Sequence, residues 1–458
     1  MSGCTATETL AEYLAELRFD HLPPAVVDRT EDLLFDWVAS AWAGAAMPAI
    51  QAVQRAAAAL GGLSGPSQIL MGGAGSPYWA AFVNGAASHA VEQDDLHNAS
   101  VVYPGTVVFP AALAVAQAVG ASGRQVLAAA VAGYEAATRV GQFLGQSHYR
   151  LFHATGTAGA LGAATAAAKL LDLDPKGLLS AWGTAGTGAA GLWEFLRTGA
   201  DSKPFHAGRA AATGVLAVHL SREGLSGAAD ILEGPQGMSA AMAGANNPEA
   251  LLRDLGHRWA VLDTSLKWHA SCRHTHPAAD ALQDVMARHD LSAGQIRHVT
   301  AYVTQGALDV LGPVGVPATG HQAKFSMGFV LGLIAVRGHA GIGDFSAEDL
   351  EDPAIRMFLP QVDMVVDQEV QAAYPQQWIG KVDVETDRGR LHGRVEFPKG
   401  DPQNPIGEPD LIEKARALAA FGGMKRPEDV ASLRQWVKHL PAAPVVGWVG
   451  ALAAGGRS

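Results

Sequence analysis

Alanine is the residue that most limits what this chain can become. It occupies 86 of 458 positions, beside 53 glycines. Alanine is the strongest helix former, and its small side chain lets helix axes lie close together on flat, extensive contact surfaces. The alanines are spread unevenly: residues 1–250 hold 59, residues 251–400 hold 17 and residues 401–458 hold 10. A middle segment of different character interrupts an alanine-rich helical protein. The length exceeds one ordinary core, so two or three domains are expected.

Periodicity gives the same division. Residues 7–18 and 25–44 read as amphipathic helices; in the second, Val26, Leu33, Leu34, Trp37 and Ala41 recur at three- and four-residue spacing after Pro23 and Pro24. Residues 48–60 and 78–92 are further helices. Residues 107–120, 124–145, 156–171 and 207–222 are apolar nearly all round, as helices inside a bundle are. Near residue 265 the pattern changes. Residues 296–304 alternate like a strand, 361–367 form another, and 379–397 read as a hairpin around Asp387-Arg388-Gly389. Helices are predicted at 276–289 and 322–337, and helix returns after 408. The predicted fold is mainly α: a large all-α helical domain built from both chain ends, 1–265 and 400–458, with a smaller α+β domain inserted over 266–399.

Charge and cysteine content exclude several classes. With 33 basic and 44 acidic residues the net charge is −11, which argues against nucleic acid as a partner. A local basic pocket in such a protein would still capture anions. Cys4 and Cys272 alone build neither a disulfide framework nor a zinc site. The first residues carry acids and lack the basic start and apolar core of a signal peptide. No run of about 18 strongly apolar residues suggests a membrane span. A cytoplasmic protein with no membrane partner is expected.

Four clusters carry candidate chemistry. The first is His89, Glu92, Asp94, Asp95 and His97, which reads as acid, base and ligand chemistry or as a charged helix end that caps backbone groups. His153 heads a Thr-Gly-Thr-Ala-Gly helix start that would favour an anion; the competing reading is a partly buried turn histidine. Lys203, His206 and Arg209 place cations at a helix start, which is costly unless an anion compensates. Lys267, His269, Arg273, His274 and His276 crowd ten positions at the expected domain junction, a favoured place for a ligand cleft. Arg grips a carboxylate bidentately and Lys neutralises another. A His-x-His metal pair and a solvated hinge compete with that reading.

The order of these stretches, HAVEQDDLHNASVVYPGTVVFPAALA (89–114), FHATGTAGALGAA (152–164), DSKPFHAGRAA (201–211), LKWHASCRHTHPAADA (266–281), AKFSMGF (323–329) and FPKGDPQNPIG (397–407), resembles the MmgE/PrpD family over nearly the whole chain. The family includes 2-methylcitrate dehydratase, cis-aconitate decarboxylase and iminodisuccinate epimerase. The resemblance implies an all-α domain with an α+β lid, a homodimer, no metal or organic cofactor, and an active site between the two domains. It assigns Asp94, His97, His153, Lys203 and His274 to catalysis. Lys267, Arg273, His276, Lys324 and Tyr103 would bind the substrate, with His274 or His276 matching the family's junction histidine.

The implied chemistry is proton removal next to a carboxylate on a small di- or tricarboxylate. Lys203, Lys267 and Arg273 would stabilise the developing charge. His153 or Asp94 would accept the proton, and His97 or the junction histidine would donate to the leaving hydroxyl. Two departures stand out. Tyr103 replaces the histidine the family often has before Pro-Gly, and a phenol with an ordinary pKa near ~10 is a poor base. Phe325 and Phe329 lack the hydroxyl that decarboxylase members place there, which counts against decarboxylation. The expected activity is that of a 2-methylcitrate dehydratase-like lyase. Epimerase or decarboxylase chemistry of the same family is the alternative. A metal-assisted hydrolase or hydratase using Asp94, Asp95 and His97 with His274 and His276, or a non-catalytic polycarboxylate-binding protein, is more distant.

Overall fold

The computed structural model describes residues 5–424 and 426–449. Cys4 lies outside them. The described chain forms two compact units, which divide at Thr264/Ser265 and at Ala417/Leu418, with residues 196–200 assigned to the second.

The first unit is helical. Its long helices are Pro24–Ala45, Pro77–His89, Gly105–Val119, Gly123–Tyr149, Ala154–Leu170, Pro175–Thr187 and Ser202–Arg222. Proline at the first turn opens several of them, where its missing N–H costs nothing. Ser122 and Gln125 form a capping box at the head of the Gly123–Tyr149 helix, which breaks at Gly145 with φ 70°. The small residues do what composition predicts. A Cβ on Gly162 would stand 2.7 Å from the Gly133 carbonyl oxygen, and one on Gly133 would stand 2.9 Å from that of Gly162. These two helices touch backbone to backbone, so any larger residue would force them apart. Gly214 approaches Ala163 and Ala164, and Gly208 the Phe82 carbonyl, in the same way.

Early and late stretches of the chain meet inside this unit. The late helix Pro427–His439 is pinned to Pro24–Ala45 by Arg434–Asp32 at 2.7 Å and Lys438–Glu31 at 2.8 Å. The sequence pattern missed the Pro175–Thr187 helix and the small ladder of Ser67–Ile69 with Gly73–Gly75. Among the described residues no single helix is long and apolar enough to cross a membrane.

The second unit is α+β. Four strands run in the order Val362–Val366, Ile296–Val303, Gly380–Thr386, Gly389–Val395. The first pair is parallel and the others antiparallel, with Val299 opposite both Val362 and Val384. The predicted hairpin turns at Asp387-Arg388, and Gly389 takes φ 112°. Val299, Ala301, Val303, Val382 and Val384 are buried on one face. The His276–His289 helix lies so close to that face that a Cβ on Gly393 would meet the Ala281 carbonyl oxygen at 2.7 Å. The predicted 322–337 helix is two pieces, Gly320–Ala323 and Met327–Arg337, parted where Ser326 caps the second.

Candidate active site

The Pro77–His89 helix delivers His89 at its last position, and the chain then turns through Glu92 at φ 57°. After this turn three carboxylates take three different partners. Glu92 forms an ion pair with Lys203, and the two side chains are 1% and 3% exposed. Asp94 Oδ2 accepts from His89 Nδ1 at 2.7 Å. Asp95 accepts from the Gly105 N–H at 3.0 Å and from the Tyr134 hydroxyl at 2.5 Å. Burial pushes the Asp95 carboxyl up to about 7, against the hydrogen bond from Tyr134.

Lys203 stands in the first turn of Ser202–Arg222, where a cation opposes the positive end of the helix. The anion that compensates it is Glu92, the protein's own. His153 immediately precedes the Ala154–Leu170 helix, and its N–H donates to the Gly191 carbonyl at 2.9 Å. The rings of His89 and His153 stack at 5.2 Å with 12° between planes. Tyr103 lies 5.0 Å from His89 and edge-on to His153, and Lys203 Nζ sits 5.0 Å from the centre of the Tyr103 ring. Trp193 covers His153 at 4.7 Å.

His89 and His153 are both fully buried. Burial lowers the basicity of His89, and Asp94 offsets part of that; burial, then His89 and Lys203, hold His153 well below the usual imidazole range. Both rings are therefore neutral at pH 7. The contact with Asp94 fixes the hydrogen of His89 on Nδ1, which leaves Nε2 with its lone pair. Neither Nε2 has a hydrogen-bond partner among the described residues. Two neutral imidazoles with unpartnered buried nitrogens, beside an ammonium, can move protons.

Of the residues expected here, the structure brings Asp94, Tyr103, His153 and Lys203 together around His89. His97 is placed differently: its Nδ1 meets Ser100 Oγ at 2.9 Å, and burial lowers it to about 4. His89, Glu92 and His206 were visible as members of clusters, but spacing gave them no role.

The second unit carries the basic group. Arg273 pairs with Asp401, both side chains 1% exposed, and Asp401 also accepts from Ser265 Oγ at 2.5 Å. Arg273 Nη1 lies 3.4 Å from His276 Nδ1, and His276 Nε2 donates to the Ser271 carbonyl at 3.3 Å. His276 is therefore a neutral ring between two fixed partners. His269 binds Asp280 at 2.8 Å. His274 packs 4.9 Å from Trp378, its Nε2 buried and unpartnered among the described residues; burial, Arg273 and Lys267 lower it to about 3. Lys267 is fully buried. The Lys324 carbonyl accepts from the Cys272 N–H at 2.8 Å, and Lys324 Nζ stands 5.2 Å from the Phe345 ring centre. Phe325 and Phe329 are buried beside His321 and Phe345. Asp401 lies within the FPKGDPQNPIG stretch, but its pairing with Arg273 had no local signal, because the two are 128 residues apart.

The ligand-set reading of Asp94, Asp95 and His97 fits poorly, since each turns to its own partner. Among the described residues no group of three His, Cys, Asp or Glu is placed to hold a metal ion.

The helical unit thus carries a buried acid–base cluster, and the α+β unit carries buried Lys, Arg and His side chains. Residues 8–251 match the MmgE/PrpD N-terminal domain and residues 269–438 the MmgE/PrpD C-terminal domain. The chain belongs to the MmgE/PrpD family. It is 26% identical over 437 residues to a cis-aconitate decarboxylase of Aspergillus terreus, covering 90% of this chain and 89% of that one. A cis-aconitate decarboxylase-like protein of Aspergillus oryzae is 27% identical over 440 residues, covering 90% of each chain. The human cis-aconitate decarboxylase is 26% identical over 451 residues, covering 95% of this chain and 91% of that one.

Proposed function

We propose that this protein is a cofactor-independent lyase that removes a proton next to a carboxylate of a small di- or tricarboxylate and expels hydroxide, in the manner of a 2-methylcitrate dehydratase. The observation that carries the reading is the stacked pair His89 and His153, each with an unpartnered, fully buried Nε2. Asp94 orients His89 as the base, in the way a carboxylate fixes an imidazole tautomer in hydrolytic triads. His153 is the acid that meets the leaving hydroxyl. Lys203, poised by Glu92, stabilises the enediolate. Tyr103 orients substrate through its hydroxyl. Positioned acid–base groups contribute about 10²–10⁴-fold.

Decarboxylation is the second reading, favoured by the names of the relatives; Phe325 and Phe329, apolar and buried, weigh against it. Incubation in heavy water with methylcitrate, citrate, cis-aconitate and iminodisuccinate separates these cases. Proton exchange with loss of water supports the dehydratase, carbon dioxide release the decarboxylase, and exchange with inversion alone the epimerase. Absence of exchange and turnover with all four would overturn the substrate class. We place the homodimer in the same proposal, to be read from sedimentation of the purified chain.

A further inference from the structure

His153 touches a second histidine. Its Nδ1 lies 3.3 Å from Nδ1 of His206, the two rings at 5.5 Å and 50°. A hydrogen bond between two imidazole nitrogens needs one hydrogen, so one Nδ1 donates and the other accepts. The tautomers of the two rings are therefore opposed, and fixing one fixes the other.

The backbone is built to hold this contact. Gly191 runs past both rings at φ 141°, a conformation that favours glycine. A Cβ there would stand 3.3 Å from His206 Nδ1 and 3.6 Å from His153 Cβ. Phe195 packs edge-on to His206 at 5.6 Å. The charged and titratable groups that act on the pair are His89, Glu92, Lys203 and Arg209. Arg209 is spent on the carbonyls of Gly156, Gly188 and Ala190. His206 is 6% exposed and His153 is 0% exposed, so the second ring is the nearer of the two to solvent.

A neutral imidazole that gives up its Nε2 hydrogen becomes an imidazolate unless its other nitrogen gains one at the same time. Burial, then His89 and the cations Lys203 and Arg209, keep both rings neutral at pH 7, His206 being lowered to about 4. His153 alone is consequently a feeble acid.

We propose that His206 is the positioning residue of His153: its Nδ1–H donates to His153 Nδ1, presents His153 as the Nε2–H tautomer, and refills it with a proton in turnover. This rests on the dehydratase reading above. When His153 Nε2–H protonates the departing hydroxyl to water, the His206 Nδ1 proton passes to His153 Nδ1, and His206 takes a proton from solvent at Nε2. His89 later returns to solvent the proton it took from carbon. Across the dehydration one proton enters at His206 and one leaves through His89. In the reset His153 Nε2 takes a proton from water in the emptied site, the Nδ1 proton returns to His206 Nδ1, and His206 Nε2 releases its proton to solvent, so the count closes and both tautomers are restored.

Two-bond ¹H–¹⁵N correlation of the full-length, histidine-labelled protein tests the contact without any substrate. The wild type is expected to show His153 protonated at Nε2 and His206 at Nδ1. His206→Phe is expected to release His153 into a tautomer mixture. His206→Asn keeps a donor amide and is expected to keep the His153 signature. Nδ1–H on His153 in the wild type, or a His153 signature indifferent to His206→Phe, overturns the proposal. If His206→Phe does not fold, the wild-type and His206→Asn spectra decide it alone. On whichever acid is turned over, both variants are expected to lose about 10²-fold or more in kcat with KM unchanged. Wild-type kcat in His206→Asn leaves positioning but overturns the relay. No turnover of any acid overturns the dehydratase reading instead, and leaves the spectra to judge the His153–His206 contact.

Discussion

Glu92 and Lys203 neutralise each other inside the helical unit, 111 residues apart in sequence and almost sealed from water. The pair brings a carboxylate that has turned through a positive-φ residue to an ammonium at a helix start. Removing one partner leaves a buried charge uncompensated, which costs about 3–5 kcal/mol, whereas removing both costs far less. Glu92→Gln and Lys203→Met are each expected to lower the denaturation midpoint sharply, and the double variant to recover most of the loss without recovering turnover. A double-mutant cycle in urea, with activity measured in parallel, checks this.

Asp95 gives a signature in pH. Its carboxyl is raised from an ordinary value near 3.8 to about 7 by burial. The folded state therefore holds a proton that the unfolded chain gives up between these values. The stability this group contributes is full below about pH 4 and is withdrawn as pH rises toward about 7. Asp95→Asn is expected to remove that decline. Unfolding free energies at pH 4.5 and 7 in both proteins measure it, and equal slopes would contradict it.

His274 acts with the opposite sign. Burial, Arg273 and Lys267 depress it from 6.5 to about 3, so the unfolded chain binds a proton that the folded unit refuses. The contribution is present above about pH 6.5 and is lost as pH falls toward 3. His274→Gln is expected to flatten the acid side of the stability profile. Chemical denaturation followed by Trp fluorescence between pH 4 and 7 reads the change.

Gly162 tests the packing. A methyl there would stand 2.7 Å from the Gly133 carbonyl and 2.6 Å from Ala137 Cβ. Gly162→Ala is expected to cost about 1–3 kcal/mol by overpacking, although alanine is the better helix former. A lowered urea midpoint with an unchanged m-value is the expected result.

Much of the fold was legible because small residues and periodicity act locally. The Pro24–Ala45, Gly123–Tyr149 and Ile296–Val303 elements fall within a few residues of where the pattern puts them. Pairings were not legible. A lysine at a helix start declares that it needs an anion, but nothing local says that Glu92 rather than a ligand provides it. Arg273 likewise reads as a carboxylate grip, yet Asp401 already holds it. His97 looked equivalent to its acidic neighbours, and only the fold turns it to Ser100. His206 was one member of a basic turn until the backbone at Gly191 set it against His153.

The clasp between Pro427–His439 and Pro24–Ala45 also orders events during synthesis. The helical unit combines early and late stretches of the sequence, while residues 265–417 of the other unit are continuous. Domains fold largely as units while the chain emerges. The α+β unit can complete itself first, whereas the bundle stays incomplete until residues 427–439 have been made. A chain truncated before Arg434 loses that closing contact and leaves the Pro24–Ala45 helix without its late partner.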